Sequence, residues 1–572
     1  MKSNIRYKVG SKIPGSRFLD IEITVNTNDQ KCFEIALPAW RPGRYELGNF
    51  AKYIRGFKVF DADQNELAFK KQNSHVWSID CAKTLTVTAC YQFYTTELNA
   101  GSSWVDKNQL YINPVNCLMY VVSQEHDSCT VEFDVPSSYQ IATGLSKSES
   151  GLFTARNFNE LADSPVICSP NLQHKTYLVN NITFHVWFQG EIKPNWDKLI
   201  PDFTAFTKKQ LESMGSFPFN EYHFLFQILP HKAYHGVEHL NSTVISLGPG
   251  TEVMETKLYE ELLGVSSHEL FHAWNVKSIR PADMLPYDFS KENYTEMGYL
   301  TEGITTCLGD LFLIKSGIFN LNRYLIELHK LLDRHSFNYG RYNYSVCESS
   351  FDTWLDGYVK GIPNRKGSIY TEGALLALCI DIMLISNTEG KHNLDTVMKA
   401  LFEDYAKKGI GITEEIFIQT IKQLGGSEIE SLFENYYHKA VDYFDLLKST
   451  FKKVGLDLSK QNNSNVLASQ FGCYADKKGK VLLIAPNSPA YDAGINVGNE
   501  IISVNDIKTN DRDAEWKNQF EENTTFTLSK KLGLETVNLT PNTEHYFQKY
   551  VLTKSLQTTK DQQKNFKVWL SI

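Results

Sequence analysis

Apolar and polar positions alternate with a period of two in the first part of the chain. Leu85, Val87, Ala89, Tyr91 and Phe93 interleave with Thr84, Thr86, Thr88, Cys90 and Gln92, the pattern of a strand with one buried face. Turn-forming clusters at Ser137-Ser138 and from Ser146 to Gly151 break the region into short strands, and residues 1–170 are expected to form an antiparallel β-sandwich. The pattern changes around Asp163-Ser164-Pro165. Thr183 to Phe188 and Tyr222 to Leu229 read as strands, Trp196 to Met214 as a helix, and His231 to Ser242 as a connecting loop. Met254, Leu258, Leu262, Val265 and Phe271 then recur at helical spacing, and Pro281 sets the limit of that helix. Gly303 to Lys315, Leu321 to Arg334 and a run beginning near Tyr370 continue as helices, followed by amphipathic helices over 393–447. Past 451 the chain returns to short strands and turns, and Val568-Trp569-Leu570 is expected to close as a final strand. The fold class is multidomain α+β: a sandwich over 1–170, a mainly helical domain over 171–450 and a β domain over 451–572.

The helix that carries Met254, Leu258, Leu262, Val265 and Phe271 and ends before Pro281 holds the chemistry. It contains His268-Glu269-Leu270-Phe271-His272, and positions four apart stack on one helix face, so two imidazoles can share one cation. Glu269 projects beside them, where a carboxylate takes a proton from metal-bound water. Two ordinary surface histidines would give the same letters, so a third ligand decides the matter. Glu302 opens an apolar helix thirty residues after His272. Two imidazoles and one carboxylate leave a coordination position for water, the open arrangement of a catalytic zinc site. A closed structural site would want a fourth protein ligand, usually cysteine.

The run His268 to Pro281, then Pro286 to Thr295, then Tyr299-Leu-Thr-Glu302-Gly303 resembles the glycyl aminopeptidase family of zinc metallopeptidases, gluzincins with a thermolysin-like catalytic domain. The resemblance extends over most of the chain and implies zinc, held by His268, His272 and Glu302, with Glu269 as general base. It also implies that Gly236-Val237-Glu238 lies on an edge strand along the substrate, with Glu238 holding the α-ammonium of the peptide; His235 stands where that family commonly has another glycine. Tyr370 fits the phenol that steadies the oxyanion in related zinc aminopeptidases, although Glu372 replaces the usual lysine. The preference implied is for a small N-terminal residue, glycine first and alanine second. His231, His235 and His239 read as surface or hydrogen-bonded rings, and Asp381 as a capping or supporting group. Leu37-Pro-Ala-Trp40-Arg-Pro-Gly43-Arg-Tyr45 resembles a segment of the same family's N-terminal domain and reads as a packed turn anchored by its tryptophan. Lys480 to Ala485, Asn487-Ser-Pro-Ala490, Ala493-Gly494 and Gly498 to Asn505 look like a PDZ domain, with Phe471-Gly472-Cys473 as the loop for a peptide C-terminus.

Composition changes this picture little. Hydrophobic residues at 42% and charged residues at 22% are ordinary for a globular protein, and a net charge of −8 argues against nucleic acid or an anionic membrane as partner. The start of the chain lacks the apolar core of a signal peptide, and the run Gly373 to Ile385 is too short to span a bilayer and contains Asp381. Ten cysteines without a C-x-x-C pair read as reduced, mostly buried thiols, and the expected compartment is the cytoplasm. Peptides are the expected substrates, and oligomerisation stays open. Three rival readings remain at this level: a thermolysin-like endopeptidase, a PDZ peptide-binding scaffold with a structural zinc, and hydrolysis of a non-peptide substrate.

Overall fold

The computed structural model describes residues 4–27, 30–81, 84–359, 361–509, 520 and 523–572; residues 1–3 of the expected sandwich and 510–519 of the expected PDZ-like module lie outside them. The chain divides into two compact units, the first made of 1–295, 308–318 and 398–413, the second of 296–307, 319–397 and 414–572.

In the first unit, the alternation in the sequence becomes a seven-stranded sheet. Strands Ile5–Gly10, Phe18–Asn26 and Thr86–Tyr94 lie side by side and antiparallel. Ile21, Ile23, Val25, Val87, Tyr91 and Phe93 face inward against Phe33, Ile35, Trp77 and Ile79 of a four-stranded sheet built on Cys32–Ala36 and Val76–Asp80. This is sandwich packing, with one departure from the antiparallel expectation: Ile5–Gly10 pairs in parallel with Cys129–Asp134. A parallel neighbour arrives by a long connection, and alternation along one strand carries no information about the direction of its partner.

A third small sheet, including Leu110–Ile112 and Val166–Ser169, packs Tyr111, Ala142 and Ile167 against Leu225, Val237 and Val244 of a five-stranded sheet. The order of that sheet is Gln173–Val179, Ile182–Gln189, Glu221–Ile228, Ser242–Gly248 and finally Ala233–Glu238 at the edge. Ile182–Gln189 and Glu221–Ile228 run parallel, joined by helix Trp196–Met214, as a crossover connection requires. The helix buries Phe203 and Phe206 against Phe224 of the sheet. Helix Thr256–Phe271 lies alongside, tied by the side-chain amide of Gln210, which donates to the Ser267 carbonyl at 2.9 Å.

The second unit is built around helix Ile369–Asn387. It is long and apolar enough to cross a membrane by length and composition, and most of it is buried inside the protein. Leu321–Phe337, Phe444–Lys452 and Lys560–Leu570 pack around it. Asp381, within it, accepts the backbone N–H of Leu394 at 2.8 Å and so caps the next helix, Leu394–Asp404. A π-helical turn, Tyr299–Gly303, crosses the start of the central helix so closely that a Cβ on Gly303 would lie 2.5 Å from the Cα of Gly373.

A β-rich C-terminal domain completes this unit. Glu500–Val504, Thr524–Lys530 and Gly533–Leu539 form an antiparallel sheet over a core of Leu467, Phe471, Val481, Ala490, Ile501, Phe526 and Leu528. Strand Leu456–Gln461 pairs with Lys549–Lys554. The tail is not a strand. Lys560–Leu570 is a helix opened by a capping box, in which Thr559 accepts from Gln562 N–H and the Gln562 side chain accepts from Thr559 N–H. Trp569 within this helix has no exposed surface.

Candidate active site

Helix Thr256–Phe271 turns its apolar positions, among them Leu262, Leu263, Leu270 and Phe271, into the first unit. That orientation brings His268 and His272 together at its end. Their Nε2 atoms are 3.0 Å apart, with the rings nearly perpendicular at 83°. The Asn275 carbonyl lies 2.6 Å from Nδ1 of His272. A carbonyl only accepts, so the proton belongs on Nδ1 and Nε2 is the basic nitrogen, the arrangement a metal-binding imidazole needs. Burial, and then the neighbouring His272, hold His268 well below the usual imidazole range, so it stays neutral. This donor set fits a divalent cation of the zinc type.

The edge strand Ala233–Glu238 runs over the residue between the two histidines. A Cβ at Gly236 would lie 2.2 Å from Oε1 of Glu269, so any side chain there would displace the carboxylate. The Thr243 hydroxyl reaches the other carboxylate oxygen at 3.5 Å. Glu238, two residues on, is buried, and ligand atoms of Glu238, Glu269 and His272 all lie within 4.8 Å of one another. Burial alone would raise the pKa of Glu238; His272 and then Lys277 outweigh it and hold the carboxyl below its ordinary value.

Behind Glu238 lies a buried charged group that the sequence did not reveal. Lys277, whose side chain has no exposed surface, donates to both oxygens of Asp163 at 3.1 and 2.9 Å, and His239 Nδ1 is 3.0 Å from the same carboxylate. For Lys277, burial works downward but Asp163 and Glu238 raise its pKa overall; for Asp163, burial works upward but Lys277 and His239 lower it. Both stay charged. Asp163 was visible in the sequence only as part of a pattern break, and Lys277 only as one letter after the histidine motif.

The three loop histidines divide as their surroundings dictate. His239 is bound to Asp163, and His235 on the edge strand is pushed down to about 4, first by burial and then by the charges of Arg41 and Arg44. Among the described residues, His231, His235 and His239 join no metal-compatible cluster.

In the second unit, Glu302 is buried within the π-helical turn Tyr299–Gly303, a backbone form concentrated at functional positions. Tyr370 is the second residue of helix Ile369–Asn387 and is exposed. Glu372, which stands where lysine was expected, turns inward instead. Its Oε2 lies 2.7 Å from Nδ1 of His335, whose Nε2 accepts the backbone N–H of Tyr443 at 3.3 Å. The carboxylate is thus a structural partner of a buried imidazole rather than a charge beside Tyr370.

Two other clusters have metal-compatible spacing, and their hydrogen bonds argue against that use. His185, Glu221 and His223 lie together, but the Trp187 indole N–H donates to Nδ1 of His223 at 3.2 Å. That leaves the ring proton on Nε2, facing Glu221 at 3.6 Å, where a cation would have to displace it. In the cluster Cys347, Glu414 and His438, one Glu414 oxygen accepts from the Tyr299 hydroxyl at 2.8 Å and the other lies 2.8 Å from His438.

Residues 6–170 match the family model of the Peptidase M61 N-terminal domain, and residues 261–376 match that of the M61 glycyl aminopeptidase. The crystal structure of an aminopeptidase N family protein from Idiomarina loihiensis is 27% identical and covers 99% of this chain and 100% of its own, with a TM-score of 0.89. An M1 zinc metallopeptidase from Deinococcus radiodurans, bound to a Tyr-Ser-Ala substrate, is 13% identical and covers 76% of this chain and 94% of its own, with a TM-score of 0.49. Among curated proteins none matches.

Proposed function

From the premise that the chain matches the two M61 domain models and is a metallo-aminopeptidase, we propose that it releases small N-terminal residues, glycine first and alanine second, from peptides by attack of water, for which Glu269 is the base and a zinc ion would supply the activation. The observation that carries this reading is the approach of the edge strand to the histidine helix, which sets Glu238 beside Glu269 and His272.

His268, His272 and Glu302 are the residues that would hold zinc. When bound, zinc lowers the pKa of its water and polarises the scissile carbonyl. Glu269 takes the proton of the attacking water and passes it to the leaving amine. Glu238 receives the free α-ammonium, which fixes the cut at one residue from the N-terminus. Tyr370 donates a hydrogen bond to the oxyanion as it forms. The C-terminal domain is read as PDZ-like, accepting the C-terminus of a peptide. Helix Val466–Phe471, ending at the left-handed Gly472 before strand Cys473–Ala475, supports a carboxylate-binding loop there.

Aminoacyl p-nitroanilides, with and without an N-acetyl cap, test the central claim. Glycyl and alanyl substrates with a free amine are expected to be cleaved, and capped ones to fall by about a hundredfold, since a hydrogen-bonded charge pair contributes roughly 3 kcal/mol. Equal rates on capped and free substrates would remove Glu238 as the anchor and favour an endopeptidase.

A further inference from the structure

The turn Arg41-Pro42-Gly43-Arg44 of the N-terminal domain points its tip at Glu238. The N–H of Arg44 donates to the Arg41 carbonyl at 3.3 Å, and Gly43 has φ of +80°. Proline second and a positive-φ glycine third are the signature of a type II turn. A Cβ on Gly43 would lie 2.6 Å from Oε1 of Glu238, 2.8 Å from Oε2 and 3.0 Å from its carboxyl carbon. All three atoms belong to the end of the Glu238 side chain, so an added methyl would displace the carboxylate rather than meet backbone. The turn is also fixed from behind. The Ala39 N–H donates to the Phe289 carbonyl at 2.7 Å, the Trp40 indole N–H to the Asp288 carbonyl at 2.7 Å, and the Gly48 N–H to the Ala39 carbonyl at 2.8 Å. The Trp40 ring stands edge-on to Tyr287 at 5.6 Å.

We infer that Gly43 is a positioning residue for catalysis: the N-terminal domain supplies one wall of the pocket for the substrate's α-ammonium, and the bare Cα of Gly43 sets the orientation of the Glu238 carboxylate. This rests on the amine-anchoring reading of Glu238. It makes the first domain part of the active site, with the turn confining the carboxylate on one face so that the ammonium meets it from the other. The pinned backbone around Trp40 holds that wall in place, and the carboxylate is oriented before the substrate arrives.

The test is a double-variant cycle in the full-length enzyme, read as KM and kcat separately on glycyl p-nitroanilide. Gly43→Ala is expected to raise KM by about ten- to a hundredfold, with little change in kcat, because the carboxylate is displaced while the water-activating groups are not. Glu238→Asp shortens the side chain and makes room for the added methyl. In the Gly43→Ala background it is therefore expected to add no further KM penalty, although alone it raises KM. Penalties that multiply independently, or an unchanged KM in Gly43→Ala, overturn the inference. If Gly43→Ala does not fold, Trp40→Phe decides, since it removes the indole bond to Asp288 and part of the ring packed on Tyr287, loosening the turn from behind; a raised KM at constant kcat supports the inference and an unchanged KM overturns it. A wild type that cleaves capped and free substrates alike indicates failure of the amine-anchoring reading, a different outcome from a wild type that prefers free amines and tolerates alanine at 43.

Discussion

On the proposed reading, Glu269→Gln is expected to retain zinc and to turn over glycyl substrates at least about a hundredfold more slowly than the wild type. The amide has nearly the shape of the carboxylate, so it occupies the same narrow space beneath Gly236 and beside Thr243. It lacks the basic oxygen that accepts the proton of the attacking water. The residue lies between two candidate ligands without being one, so metal content and turnover separate: elemental analysis should find about one zinc per chain while kcat collapses. Near-normal turnover with zinc in place would remove Glu269 as the base. Loss of zinc would show instead that the carboxylate is needed to hold the cation.

Lys277→Met destabilises the protein by about 3–5 kcal/mol, because it leaves the carboxylate of Asp163 charged and enclosed without its main partner. Adding Asp163→Asn recovers most of that loss, since the amide leaves no uncompensated charge. The pH dependence follows from the two shifts. Asp163 titrates below the ordinary carboxylate range, so its contribution is complete above that range and is lost as pH falls through the depressed value. Lys277 titrates above the ordinary lysine range, so its contribution is complete below that range and is lost as pH rises through the raised value. Between these limits the difference between wild type and variant is constant. In acid it shrinks as Asp163 becomes neutral. Denaturant midpoints measured across that span check both the size and the shape, and a variant within about 1 kcal/mol of wild type would show that the pair is not what holds this region.

Much of the site was legible because it is local. The spacing of His268, Glu269 and His272 is a property of five consecutive residues on one helix, and helix geometry alone converts it into a shared binding position. Helix Trp196–Met214 came out with the bounds its apolar periodicity predicts. What sequence could not supply were partners that meet only after folding. The turn at Pro42-Gly43 is readable as a turn, yet nothing in its letters says that its tip meets Glu238. The same holds for Asp163, which closes the short helix Phe158–Ala162 and then bonds with Lys277 and His239. The tail departs from expectation for a different reason: three apolar residues are too few to separate a strand from a helix, and the deciding residues are Thr559 and Gln562, upstream of the apolar run.

The contact between Gly303 and Gly373 ties together two tasks that chemistry treats as separate. A Cβ on Gly373 would stand 2.8 Å from the Cα of Gly303 and 2.9 Å from that of Tyr299, so the two backbones are effectively bolted at that point. Glu302 is adjacent to the bolt on one side and Tyr370 is one helical turn from it on the other. A bulkier residue at either glycine would therefore disturb the acidic donor and the phenol together, and drift in one of these groups should be accompanied by drift in the other.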